Sequence, residues 1–426
     1  MGKKHAIVLS IIVLVVLVGA SISLSYIGLN GGTRAPAPVS TTGKPPPNIN
    51  SANDPFHALI DPRPPTIFDT ELKVEKVISG LALPTSMAFL NRGDILILQK
   101  DNGMVRLVSD GILMPNPALD IFVKNDSERG LLGIAVVNAS DRSRTVFLYY
   151  TEPTDNEIRN RVYRYDWKGT GNLTRCTLLL DLPGEPGPNH DGGKMKIGPD
   201  GAIYAVIGDL NRNGMLQNYE TGPPDNSSVI LRVDRDGNSV DGASKYYAYG
   251  IRNSFGLAFD PLTGVLWDTE NGPADYDEIN VVRPGFNSGW EQVMGPIDRT
   301  GKTTNDLIQL EGSHYADPVF SWRQARGITD IEFLNSTKLG DKYAYNVFVG
   351  DINNGNLYFF KINKDRTSIE LGGNGLEDLV ADNNREVEAN LLGTGFGGIT
   401  DIETGPDGYP YILTYGGNLY RIVPAN

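Results

Sequence analysis

Residues 405–422 read GPDGYPYILTYGGNLYRI: a Gly-Pro-Asp-Gly turn, an apolar strand over 409–414, a polar tip at Gly416 and Gly417, and a second strand ending near Arg421. Short apolar runs bounded by such turns are the signature of paired strands. The same unit recurs as GDILILQKDNGMVRLV from Gly93, GPDGAIYAVIGD from Gly198 and NVFVGDINNGNLYFFKI from Asn346. TVFLYYTEP from Thr145 and the run over 256–267 add two more. Anchored on Ile95, Phe147, Ile203, Leu266, Val347 and Tyr411, the units are spaced by 52, 56, 63, 81 and 64 residues. Six units of about one four-stranded sheet each predict an all-β fold, a six-bladed β-propeller, with the longer gaps as inserted loops. A β-sandwich, or a pair of them, fits less well because the turn pattern repeats six times.

Composition bounds the function. The formal net charge of −13 excludes a nucleic-acid partner, which needs a basic face, and suits a small neutral or cationic ligand. Cys176 is the one cysteine, so the chain can form neither an internal disulfide nor a thiolate zinc site. Four histidines (His5, His57, His190 and His314) make a multi-histidine metal centre improbable and leave oxygen-ligated calcium open.

The chain opens with Lys3 and Lys4, then carries no charge over residues 6–29, 24 residues in all and long enough to span a bilayer. Residues 1–29 are therefore expected to be an N-terminal transmembrane helix, with a cleaved export signal as the alternative. The lysines put that end in the cytoplasm and the rest outside. Residues 30–65, rich in Pro, Gly, Ser and Thr, read as an extended tether, and residues 66–426 as the propeller. Five glycosylation acceptor sequences (Asn125, Asn138, Asn172, Asn226 and Asn335) are mild support for export.

Chemistry concentrates in residues 249–290, YGIRNSFGLAFDPLTGVLWDTENGPADYDEINVVRPGFNSGW. A hairpin over 256–267 is flanked by Arg252-Asn253 and by the acidic run 270–278, and strand pairing brings the two flanks to one end. A planar cation, amides, clustered carboxylates and a Gly272-Pro273 kink are parts of a site for an anionic or metal-bound ligand. Upstream, PNHDGGKMK over 188–196 sets His190 before two glycines that permit close approach of a ligand. ERGLLGIA over 128–135 reads as a buried core strand.

These motifs together closely resemble the glucose/sorbosone dehydrogenase family, soluble quinoprotein sugar dehydrogenases that use pyrroloquinoline quinone (PQQ). The matches are Gly-x-Arg-Asn-x-x-Gly at 250–256, Glu-x-Gly-Pro…Asp-Glu-Ile-Asn at 270–280, Asn-x-Gly-Trp at 287–290, Gly-Leu-Leu-Gly at 130–133 and the histidine motif at 190–194. The resemblance, weaker elsewhere, extends over roughly 73–423. It implies six blades, His190 as catalytic base with Arg252 beside it, and Arg252, Asn253 and Asn271 against the quinone. It implies calcium on the backbone carbonyls of Gly272 and Pro273, with Glu278 next to them.

The same resemblance calls for cations against the cofactor's carboxylates at Asn353, Gly398 and Thr400, and this sequence has none there. Lys194 or Arg326 is the expected substitute. Two functions follow. The first is an exported, membrane-tethered sugar dehydrogenase that oxidises aldoses to lactones by His-assisted hydride transfer to PQQ. The alternative is a non-catalytic propeller that binds a glycan or a partner protein through a degraded cofactor site.

Overall fold

Several strands in this chain, among them Asp94–Gln99, Ile203–Ile207, Leu266–Glu270, Val347–Asp351 and Pro410–Thr414, are buried along nearly their whole length, so each needs cover on both faces. The computed structural model describes residues 64–140, 143–169, 171–212, 225–371 and 375–425. The predicted membrane helix over 1–29 and nearly all of the tether lie outside the described residues. Among the described residues no helix is long and apolar enough to cross a membrane. The described α-helix is one short segment, Asn384–Glu388, and the rest of the regular structure is almost all strand.

The strands form six sheets. Their inner strands are Pro84–Phe89, Leu131–Ser140, Met195–Ile197, Ser254–Phe259, Ile328–Phe333 and Ile399–Thr404. Each inner strand packs beside the next, and Ile399–Thr404 packs back against Pro84–Phe89, so the six close a ring. The all-β propeller predicted from the turn repeats is the observed fold. All six sequence anchors fall in the strand next to the inner one of a separate sheet: Asp94–Gln99, Ser143–Pro153, Ile203–Ile207, Leu266–Glu270, Val347–Asp351 and Pro410–Thr414. The longest gap, between Leu266 and Val347, holds Phe286–Asn287 and His314–Tyr315, which extend the third sheet, and Phe320–Gln324, which extends the fourth.

Apolar side chains between neighbouring sheets form the core, with Trp267, Trp322, Phe320 and Phe360 fully buried between the fourth and fifth. The sixth sheet is finished by Leu72–Ile78, which runs antiparallel to Asn418–Pro424 with Leu72 opposite Pro424 and Val74 opposite Ile422. The first long strand described thus completes the sheet that ends the chain.

Charge also pins the ring together. The ammonium of Lys194 lies 3.0 Å from Asp330 Oδ1 and donates to Asp401 Oδ1, both carboxylates being fully buried. Asp330 Oδ2 accepts the N–H of Ile402 at 2.7 Å, and Asp401 Oδ2 accepts the N–H of Met87 at 2.5 Å. Each carboxylate therefore stitches its own inner strand to the next. Lys196 adds contacts to Glu403 (2.7 Å) and Glu332 (3.3 Å). Two cations face four carboxylates, and burial pushes one of these, Asp330, well above its usual range.

Two outcomes test this network. Lys194→Met, which strands buried carboxylates without their cation, should lower the unfolding free energy by about 3–5 kcal/mol in urea titrations. Burial pushes the Glu403 carboxyl up to about 7, with Glu332 and Asp401 adding to the rise and Lys196 and Lys194 opposing it. A carboxyl raised in the folded state stabilises fully at pH below its unfolded value and loses that contribution as pH rises through its folded value. The melting temperature should therefore fall between about pH 5 and 8, and Glu403→Gln should flatten that fall.

Candidate functional site

The hairpin predicted over 256–267 is formed by Ser254–Phe259 and Leu266–Glu270, with Phe259 opposite Leu266 and Ser254 opposite Glu270. That register sets Arg252-Asn253 against Glu270-Asn271 at one end of the fourth sheet. The N–H of Asn271 donates to Asn253 O (2.8 Å), and Arg252 Nη1 donates to Asn271 O (2.7 Å). The backbone N–H of Arg252 donates to Glu270 Oε1 (2.7 Å), while Ser288 Oγ donates to Glu270 Oε2 (2.8 Å). Asn271 is fixed further by its amide, which donates to Ile328 O at 2.7 Å.

His190 arrives from the loop before Met195–Ile197 with φ of 65°, in the left-handed region that a non-glycine residue adopts only when its surroundings impose it. Those surroundings are on view. Glu128 Oε2 accepts the backbone N–H of His190 at 2.6 Å, and His190 Nδ1 lies 2.5 Å from Asp209 Oδ1. Asp209 Oδ1 also accepts the N–H of Asn211 (3.0 Å), and Oδ2 accepts Trp290 Nε1–H (2.7 Å). Burial raises the Asp209 carboxyl, but the bonds from His190 and Trp290 outweigh it and hold the group below its usual range. A charged carboxylate at Nδ1 fixes the neutral imidazole with its proton there and its basic lone pair on Nε2.

Sequence reasoning assigned no role to Asp209 or Trp290 and placed Glu128 at the head of a core strand. The strand is Leu131–Ser140, and Glu128 stands before it. Its carboxylate lies between the two predicted groups: the Asn253 amide is 3.3 Å from Oε2 and the His190 N–H is on the same oxygen. Burial raises this carboxyl, and the nearby His190 and Arg252 oppose the rise. An acidic residue two positions before the Gly-Leu-Leu-Gly run at 130–133 was the available signal.

Lys194 is a correction. Its buried ammonium is committed to Asp330 and Asp401 in the ring and is not a free cation for a ligand. The carboxylates of the acidic run 270–278 are taken up within the protein. Among the described residues no group of three or more His, Cys, Asp or Glu is set to hold a metal ion. Amide and side-chain donors satisfy these carboxylates instead. Asp277 accepts N–H from Gly272 (3.0 Å), Arg326 (2.5 Å) and Gly327 (2.8 Å), and Glu278 accepts from Gly295 N (2.5 Å) and the Asn280 amide (3.3 Å). Asp275 is exposed. Like charge still tells: burial and the neighbouring Glu270 push Glu278 well above its usual range. At Gly272 a side chain would overlap the carbonyls of Asp275 and Tyr276, so only glycine fits.

With this geometry in hand, the likeness to known proteins is specific. The sequence profile of the family described as Glucose / Sorbosone dehydrogenase matches residues 81–421. The chain is 26% identical over 371 residues to the Aldose sugar dehydrogenase YliI of Escherichia coli (strain K12), covering 83% of this chain and 94% of that protein. It is 32% identical over 239 residues to the Quinoprotein glucose dehydrogenase B of Acinetobacter calcoaceticus, 49% of this chain and 48% of that one. The crystal structure of the soluble aldose sugar dehydrogenase from Escherichia coli in its apo form superposes with a TM-score of 0.66 at 23% identity, over 83% of this chain and 99% of the other. At that identity the structural likeness is one of fold.

A methyl group at Gly208 would overlap the carbonyl oxygens of both Arg252 and His190. Gly208→Ala should thus disturb the two predicted groups at once and lower stability by about 1–3 kcal/mol, the usual range for overpacking, read by thermal melts.

Proposed function

We propose a function from one established premise: the chain belongs to the glucose/sorbosone dehydrogenase family. The protein is an aldose sugar dehydrogenase-type oxidoreductase that takes a sugar to its lactone with PQQ as acceptor. In this reading each of the six sheets is one blade. The observation that carries it is the His190–Asp209 pair set in one polar cluster with Arg252 and Asn253.

The residues present fit the quinone end of the cofactor. Arg252 Nε and Asn253 Oδ1 are buried with no hydrogen-bond partner among the described residues. Buried polar atoms left so are rare and call for a partner. Arg252 and Asn253 would hold PQQ, which when bound would supply the hydride acceptor. Nε2 of His190 accepts the proton of the anomeric hydroxyl, and Asp209 stabilises the imidazolium that forms. The Arg252 guanidinium orients the ligand's oxygens and faces the negative charge that develops there, while Asn253 Oδ1 accepts from a donor group of the ligand. Calcium on the carbonyls of Gly272 and Pro273 belongs to this reading as the family's polarising ion.

One observation favours a second reading, a non-catalytic propeller that binds a glycan or protein partner. Lys194 is engaged in the ring, and Asn353, Gly398 and Thr400 are uncharged, so the cofactor's carboxylates lack these cations. Calorimetric titration of the whole chain with PQQ in excess calcium separates the two. Micromolar or tighter binding sinks the second reading, and no heat at millimolar PQQ sinks the first. His190→Ala should lower kcat/KM for aldoses by about 10²–10⁴, the span of general-base catalysis, in a dye-reduction assay.

Export and tethering through residues 6–29 complete the proposal, on the strength of their uncharged length and the lysines before them. In cells the protein should stay with the membrane fraction after an alkaline wash and be open to protease from outside. Release into the medium as a shortened chain would instead mark a cleaved signal.

A further inference from the structure

Trp290 has no part in the mechanism as described, yet it touches both halves of the site. Its indole N–H donates to Asp209 Oδ2 at 2.7 Å, and the guanidinium carbon of Arg252 stands 5.2 Å from its ring centroid. The first contact occupies the carboxylate oxygen that does not face the imidazole. The second sets a cation over an electron-rich face, a contact that strengthens as water is removed. Trp290 is itself held to the segment that carries Arg252. Ser288 N–H donates to Tyr249 O (3.0 Å) and Trp290 N–H to Gly250 O (3.3 Å). Ser288 Oγ donates to Glu270, which accepts the backbone N–H of Arg252 on its other oxygen.

An aspartate carboxylate, free to rotate about its side-chain bonds, can turn away from an imidazole. Asp209 cannot do so without breaking the indole bond as well as the Asn211 N–H bond to Oδ1. His190, in turn, has its left-handed backbone anchored by Glu128 and its ring held by the Asp209 contact. We propose that Trp290 is a positioning residue that locks Asp209 against His190 and ties that pair to Arg252, so that base and cation keep one fixed spacing. It acts through Asp209 and Arg252. This inference rests on the assignment of His190 as base, but its test does not depend on turnover.

The experiment uses the full chain labelled with ¹⁵N-histidine. The Nδ1 proton of His190 is identified by its loss in His190→Ala. In the wild type it should be protected from solvent exchange by the Asp209 bond. Trp290→Phe keeps an aromatic ring under Arg252 but removes the N–H, and should speed that exchange about tenfold or more, which is the loss of a single hydrogen bond worth of protection. Trp290→His restores a ring N–H and should recover part of the protection; it also serves if the Phe variant fails to fold. In the Asp209→Asn background, Trp290→Phe should add nothing, because the residue it acts through is already altered. Unchanged exchange in Trp290→Phe, or full additivity with Asp209→Asn, overturns the proposal. Where the wild type oxidises aldoses, Trp290→Phe should also lower kcat several-fold with KM within about twofold, since it changes the base's position and not ligand contacts. A protein that shows the exchange effect but oxidises no sugar upholds the positioning role and refutes the dehydrogenase reading alone.

Discussion

Everything in this fold depends on six inner strands staying side by side around one axis. Apolar packing between sheets is non-directional and cannot by itself fix how far one inner strand slides along the next. Directional bonds do that here. Asp330 reaches the backbone of Ile402, Asp401 reaches the backbone of Met87, and Lys194 lies between the two carboxylates. Buried ion pairs seldom add much net stability over apolar residues of like shape, but losing one partner is costly. Their value in this chain is register. The polar cluster around His190 inherits that register, because its members come from the loops and strand ends of several sheets.

Within the cluster, the arrangement follows from strand pairing. Glu270 opposite Ser254 sets two polar flanks together, and backbone donors on both sides consume the carboxylates. The acidic run that reads as a cation trap in one dimension is therefore a set of anchors in three. Such anchoring leaves Arg252 Nε and Asn253 Oδ1 without partners among the described residues, and these are the atoms to which a ligand is most useful.

Much of the fold was legible in the sequence because turn chemistry is local. Gly-Pro-Asp-Gly at 198–201 and again at 405–408 announces a strand by itself, and the six anchors fell in equivalent strands. The hairpin over 256–267 was legible for the same reason. The partners of the site residues were not. Asp209 ends a strand-like run and lies 19 residues from His190, Glu128 lies 62 residues away, and the Lys194 contact to Asp401 spans 207. Nothing local distinguishes a lysine committed to a buried carboxylate from one free to meet a ligand. Glu128 was misread because an apolar run follows it, and burial of the run does not fix the side chain that precedes it.

The pairing of Leu72–Ile78 with Asn418–Pro424 has a consequence for biosynthesis. Leu72–Ile78 waits for Asn418–Pro424, with about 340 residues between them. At roughly 5–20 residues per second a ribosome needs on the order of 17–70 seconds to deliver the partner. For that interval Leu72–Ile78 is an unpaired edge, the kind of surface on which strands of other chains add. Its sequence, LKVEKVI, carries Lys73, Glu75 and Lys76 among the apolar residues, and those charges deter such pairing while the chain is unfinished. The sixth sheet cannot be finished before Asn418–Pro424 is made, and the nascent protein is vulnerable until then.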